Sequence, residues 1–136
     1  METIKVFVSW CDKNFGATLG DNVPGSVVVT AKTYEELQSA LSEALRFHVE
    51  GMVEDGDDVA DWLKEGDYTF DYSLDTAALL QRLSKYITIS AISRVTGMNE
   101  RQLSHYANGT KRPRGPQRSR IVEGLHKIGK DLVSVV

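Results

Sequence analysis

The sequence predicts an α+β protein in two parts: a small sheet-and-helix domain over residues 1–74 and an all-helical domain over residues 75–136. Three observations predict it. Apolar and polar residues alternate in stretches before residue 32 and again at 68–73, the period of strands with one buried face. Between Leu37 and Met52, and in several stretches after Asp75, apolar residues recur every three or four positions, the period of helices. The charge changes sign at the same boundary. Residues 1–74 carry 5 Lys and Arg against 15 Asp and Glu, a balance of −10, while residues 75–136 carry 11 against 4, a balance of +7, giving the net −3. The first part therefore repels nucleic acid and suits a cationic partner, and the second attracts nucleic acid.

Composition bounds the rest. The chain has 136 residues and is 41% hydrophobic, as expected of a soluble folded protein. No apolar run approaches the roughly 20 residues that span a bilayer, so no membrane partner is expected. METIKVFVSW lacks a signal-peptide pattern. Cys11 is the single cysteine, which excludes an internal disulfide and a cysteine-based zinc site. A cytoplasmic setting is the expectation.

In the first part, Ile4, Val6 and Val8 alternate with Lys5, Phe7 and Ser9 and predict a strand. Cys11 to Asn14 is polar and predicts a turn into a second strand carrying Phe15, Ala17 and Leu19. Asn22-Val23-Pro24-Gly25 is turn chemistry, and the β-branched run from Ser26 to Ala31 predicts a third strand. Thr33-Tyr34-Glu35-Glu36 has the form of a capping box. It opens a helix to about Glu54, with Leu37, Ala40, Leu41, Ala44, Leu45, His48, Val49 and Met52 on one face. The acidic stretch from Glu54 to Asp67 reads as solvated surface, with a docking face for a basic partner as the functional alternative. Tyr68, Phe70 and Tyr72 predict a fourth strand, for a βββαβ order.

Catalytic readings of this part are weak. Asp12 and Asp21, or Asp57, Asp58 and Asp61, are carboxylates of the kind that hold magnesium or move protons, but Asp is equally favoured in turns. His48 lies on the apolar helix face without a companion ligand, and Cys11 has no activating neighbour. No catalytic residue, metal or cofactor is expected.

In the second part, Asp75 is placed to cap a helix to about Leu83 whose apolar face is Ala78, Leu79 and Leu83. Thr88 or Ser90 caps a second helix, about Ile89 to Thr96, and a third runs from about Asn99 to Asn108. Gly97 stands where the chain turns between them, and Gly109 where the third ends. Pro116 starts a last helix, with Ile121, Leu125, Ile128 and Leu132 inward and Arg118, Arg120, Lys127 and Lys130 outward. Two short helices with a tight turn, a polar second helix and cationic flanks form the layout of a helix-turn-helix DNA reader. With Leu103 and Tyr106 inward, Asn99, Glu100, Arg101, Gln102, Ser104 and His105 are the candidate contacts of its reading helix. Arg101 would fork onto guanine, Gln102 or Asn99 would bind adenine, and Glu100 would accept from cytosine. Lys111, Arg112 and Arg114 would clamp phosphates.

Two resemblances sharpen this reading. ISRVTGMNERQLSHYANG, residues 92–109, resembles the helix-turn-helix of the phage-repressor (Cro/C1, or XRE) class. It does so through Thr96-Gly97, Met98, Leu103, Ser104, Tyr106 and Asn108-Gly109, with Ser93 where alanine is more usual. Lys111-Arg112-Pro113-Arg114 resembles the stretch that follows in such repressors. This resemblance implies that Glu100, Arg101 and His105 read bases, with Asn99, Gln102 and Ser104 beside them. Residues 1 to about 56 are similar to the HicB antitoxins of bacterial type II toxin–antitoxin pairs. The residues are the opening strand, Phe15-Gly16-Ala17, Asp21-Asn22-Val23-Pro24-Gly25, Thr33-Tyr34-Glu35-Glu36-Leu37, the Ala-rich helix and Glu54-Asp55-Gly56, with Ser26 where cysteine or a similar residue is usual.

That second resemblance implies a partial ribonuclease-H-like fold without nuclease activity, which covers and silences a small basic toxin that cleaves messenger RNA. Together the two imply an antitoxin that also binds its own operator DNA, as a homodimer or higher homo-oligomer. A plain transcriptional regulator whose first domain senses a ligand or dimerises is the alternative. A DNA-targeted nuclease is a third reading, needing three or four converging carboxylates.

Overall fold

Alternation in the first ten residues has a direct outcome in the computed structural model, which describes all residues from Met1 to Val136. Ile4, Val6 and Val8 of β1 (Glu2–Cys11) are at most 2% exposed, while Lys5, Phe7 and Ser9 face the other way. The chain turns at Asp12-Lys13, both with positive φ (51° and 65°), as a two-residue hairpin matched to strand twist requires. It returns as β2 (Asn14–Leu19), antiparallel to β1 with Val8 opposite Ala17. β3 (Val28–Ala31) pairs antiparallel with β2, and β4 (Tyr68–Leu74) lies parallel to β1, with Ile4 opposite Phe70 and Val6 opposite Tyr72. The result is a mixed four-stranded sheet in the order β3-β2-β1-β4.

One helix covers the inner face. In α1 (Tyr34–Glu54), Thr33 caps the start by accepting from the Glu36 N–H at 3.1 Å. Leu37, Leu41 and Leu45 are fully buried, each stabilising by about 1.5–3 kcal/mol relative to exposure. Aromatic rings continue the core across the sheet. Trp10, Phe15, Tyr34, Tyr72, Phe70, Tyr68 and Trp62 form an unbroken chain with successive centroids 4.9–6.3 Å apart.

Two expectations for this part change. The stretch read as solvated acidic surface holds a short helix, α2 (Asp61–Lys64): Val59 and Leu63 drop into the core beside Trp62, while the carboxylates stay exposed. The third strand begins at Val28 rather than Ser26: Val27 is buried in phase with Val29 and Ala31, but the ladder with β2 ends at Val28 opposite Thr18.

The chain divides into compact units at Met1–Asp75 and Thr76–Val136. The second unit is all helical: α3 (Thr76–Leu83), α4 (Ile89–Thr96), α5 (Glu100–Ala107) and α6 (Gly115–Val133). Its core is Leu80, Ile92, Met98, Leu103, Tyr106, Ala107 and Ile121. The buried face of α3 is Ala77, Ala78 and Leu80, with Leu79 and Leu83 half-buried. The helix is rotated from the expected face where Thr76 is buried and accepts from Arg118 Nη1 at 2.9 Å. On α6, Ile121 is fully buried, Leu125 and Ile128 are half-buried, and Leu132 is 63% exposed. No helix is long and apolar enough to cross a membrane.

Candidate nucleic-acid interface

The turn between α4 and α5 is fixed from several sides. Thr88 opens α4 by accepting from the Ala91 N–H at 3.1 Å. Gly97 closes it in the left-handed conformation (φ 74°), where a side chain would be strained, with its N–H on the Ser93 carbonyl. The Thr96 hydroxyl donates to the Ile92 carbonyl at 2.7 Å and accepts from the Met98 N–H, and the Ser93 hydroxyl donates to the Met98 carbonyl at 2.6 Å. Met98 is thereby held in the core, 4% exposed. Arg120 Nη2 reaches over from α6 to the Thr96 carbonyl at 2.8 Å. Of Arg118 and Arg120, both expected to point outward, Arg120 is exposed and Arg118 is half-buried instead, and both also serve as structural donors.

The first turn of α5 is equally constrained. Asn99 is the N-cap, so the helix proper begins at Glu100; its Oδ1 accepts from the N–H groups of Arg101 and Gln102 at 2.8 and 3.3 Å. Glu100 accepts a hydrogen bond from Ser90 Oγ, which ties the start of α5 to the start of α4. Gln102 Nε2 donates to Tyr106 Oη at 2.8 Å. Leu103, Tyr106 and Ala107 face the core, and Gln81 Nε2 holds the far end of α5 through the Ala107 carbonyl at 2.7 Å.

These constraints sort the expected site residues. Arg101, Gln102, Lys111, Arg112 and Arg114 are exposed, and Ser104 and His105 are half-buried. After α5 the chain reverses through Gly109 (φ 77°), and the N–H groups of Thr110 and Lys111 return to the His105 carbonyl. This reversal sets Lys111 beside the helix. Asn99, Arg101, Gln102, His105 and Lys111 surround one shallow depression of about 460 Å³. Glu100, Ser104, Arg112 and Arg114 are not among its walls. Three of the expected base contacts already have polar partners: the Asn99 oxygen in the cap, Glu100 with Ser90, and the Gln102 amide nitrogen with Tyr106. Arg101 is an exposed fork without such a commitment.

Sequence reasoning missed the supporting residues Ser90, Thr96, Gln81 and Arg120. Their bonds span 2 to 26 positions, and only Thr96 bonds within or next to its own helix, so no local pattern reveals the others. Elsewhere in the chain, no three His, Cys, Asp or Glu side chains come together as metal ligands would. Comparison with family models, with curated proteins and with solved structures gave no match to this chain.

Proposed function

We propose that this chain is a HicB-like antitoxin and autorepressor, in which residues 76–136 form a helix-turn-helix that reads operator DNA and the acidic first unit binds a small basic toxin. The observation that carries the DNA half is the depression at the start of α5. There Arg101, His105 and Lys111 stand together on the solvent side, while Leu103 and Tyr106 on the opposite side hold the helix to the core. A helix presented by its N-terminal turn, with cations around it, fits the major groove. Arg101 is the base reader of this proposal, by bidentate contact with guanine, and His105 is its neighbour. Asn99 and Glu100 act as positioning residues, since reading a base would cost Asn99 its cap and Glu100 its bond to Ser90. Lys111, Arg112 and Arg114 contact phosphates.

The charge balance of −10 over residues 1–74 supports a basic protein partner for the first unit. A gel shift on the chain's own promoter fragment tests the DNA half. Arg101→Ala should lose about 1–3 kcal/mol of preference at one base pair. Equal loss on every sequence would remove it from base reading. Co-expression with a small basic protein encoded next to this chain tests the other half: the two should copurify and the toxicity should disappear.

A further inference from the structure

A second feature lies on the first unit, beside α1. The segment Pro24–Val28 and one flank of α1, with Ala44, Phe47, His48 and Met52, line a groove of about 620 Å³. Val28 and Phe47 line it and are 62% and 78% exposed, although both are large apolar side chains. One side of the groove is tied: His48 Nε2 lies 2.7 Å from the Pro24 carbonyl, which joins the loop to the helix. β3, which starts at Val28, is an edge strand, so one row of its backbone N–H and C=O groups has no strand partner.

Charge defines what fits there. Asp55 and Asp57 belong to the groove wall. Glu43, Glu50 and Glu54 stand four before, three after and seven after Phe47, so they flank it along α1. None of these five carboxylates is in the ion pairs Lys5–Asp71 and Lys64–Asp61. Arg46 is the one Arg or Lys within α1, and Lys32 follows the end of β3. An apolar floor with an unpaired acidic rim, next to an open strand edge, selects an extended cationic segment that carries an apolar anchor.

We propose that this groove is the docking surface for a cationic protein segment, which adds to the β3 edge, seats an apolar side chain between Val28 and Phe47, and lays Lys or Arg against the carboxylate rim. The inference rests on the antitoxin reading only for the identity of the partner, the basic toxin; the surface chemistry stands by itself.

The test uses the full chain, ¹⁵N-labelled, titrated with a capped peptide of alternating Lys and Val, and separately with its Glu and Val counterpart. The Lys peptide should give saturable shifts at the amides of Val28 to Ala31 and at Phe47. Its binding should weaken at least about tenfold between about 0.05 M and about 0.5 M salt, and disappear in Phe47→Glu. Because Phe47 is exposed, that variant should keep its fold; Glu43→Lys with Glu50→Lys is the second variant and should also abolish binding. Shifts that map elsewhere, equal binding of the Glu peptide, or binding unchanged in both variants would overturn the proposal. So would a concentration-dependent dimer that Phe47→Glu dissociates, since the face would then be the chain's own interface. Copurification of the neighbouring basic protein with Phe47→Glu, as strong as with the parent, overturns this surface and leaves the antitoxin reading standing. Failure of the parent to copurify it, with peptide binding intact, overturns that reading and leaves the surface.

Discussion

Arg120 on the second turn of α6 donates through Nη2 to the carbonyl of Thr96, the last residue of α4, at 2.8 Å. A cation that would pass for a surface charge thus satisfies a helix-end carbonyl, one of the groups a helix leaves without an internal partner. The contact joins α6 to the end of α4, and Gly124, one turn further along α6, faces the same residue, Thr96. A Cβ there would stand 2.5 Å from Thr96 Cγ2.

Gly124→Ala should therefore destabilise the second unit by about 1–2 kcal/mol, because Thr96 is held by two hydrogen bonds and cannot yield freely. Gly129→Ala is the control. Nothing lies within 4 Å of its added Cβ, so helix propensity alone should act and stabilise by up to about 1 kcal/mol. Hydrogen exchange at the buried Leu103 amide would read both; two variants shifting in the same direction would refute the close approach.

Asn99 separates capping from base reading. Asn99→Ala should cost about 1 kcal/mol of stability. Asn99→Asp retains the oxygen that accepts from Arg101 and Gln102, so its thermal midpoint should stay close to the parent's. The added negative charge in the depression should weaken DNA binding on all sequences alike. Loss of discrimination at a single adenine would instead make Asn99 a reader.

Lys111, Arg112 and Arg114 are assigned to phosphates, a role with a signature in salt dependence. Each alanine substitution should lower the slope of log affinity against log salt by roughly 0.9 and leave the sequence preference unchanged. Affinity measured at several salt concentrations on specific and scrambled duplexes checks this.

Tyr72 provides a pH test for the sheet unit. Desolvation by burial raises its phenol above the ordinary value, and a hydrogen bond from Gln38 lowers it in part. A group whose pKa is raised on folding supports the fold below its unfolded value, near 10, and that support is lost as pH rises through the folded value. Stability should fall on the alkaline side above about pH 10, and Tyr72→Phe should reduce that fall. An alkaline melt with the same pH dependence in both proteins would exclude Tyr72 as the cause.

Much of this architecture was legible because it is local. Ile4, Val6 and Val8 announce a strand by alternation, and Thr33 with Glu36 announces the start of α1, whatever the rest of the chain does. The same is true of Gly97, which the turn requires, and of Leu103 and Tyr106, which share a helix face. Hidden features depend on contacts across the chain. α2 is only four residues long and sits in an acidic stretch; its signal, Val59, Trp62 and Leu63 at helical spacing, is three residues deep. Arg118 looked like an outward charge because its partner, Thr76, is 42 positions away. At the candidate site, the sequence supplied the residue set, and the hydrogen bonds of Asn99, Glu100 and Gln102 divided it into residues that hold the helix and residues left to reach outward.

The chain of rings across the sheet has a practical side. The protein's two tryptophans, Trp10 and Trp62, stand at its two ends, and both belong to Met1–Asp75; Thr76–Val136 contains only the tyrosines Tyr86 and Tyr106. Fluorescence excited at the red edge, where tyrosine does not absorb, is therefore a native optical label for the first unit alone. Set against circular dichroism, to which every helix of the second unit contributes, it distinguishes which unit melts first and which one a ligand touches, without any dye or added residue.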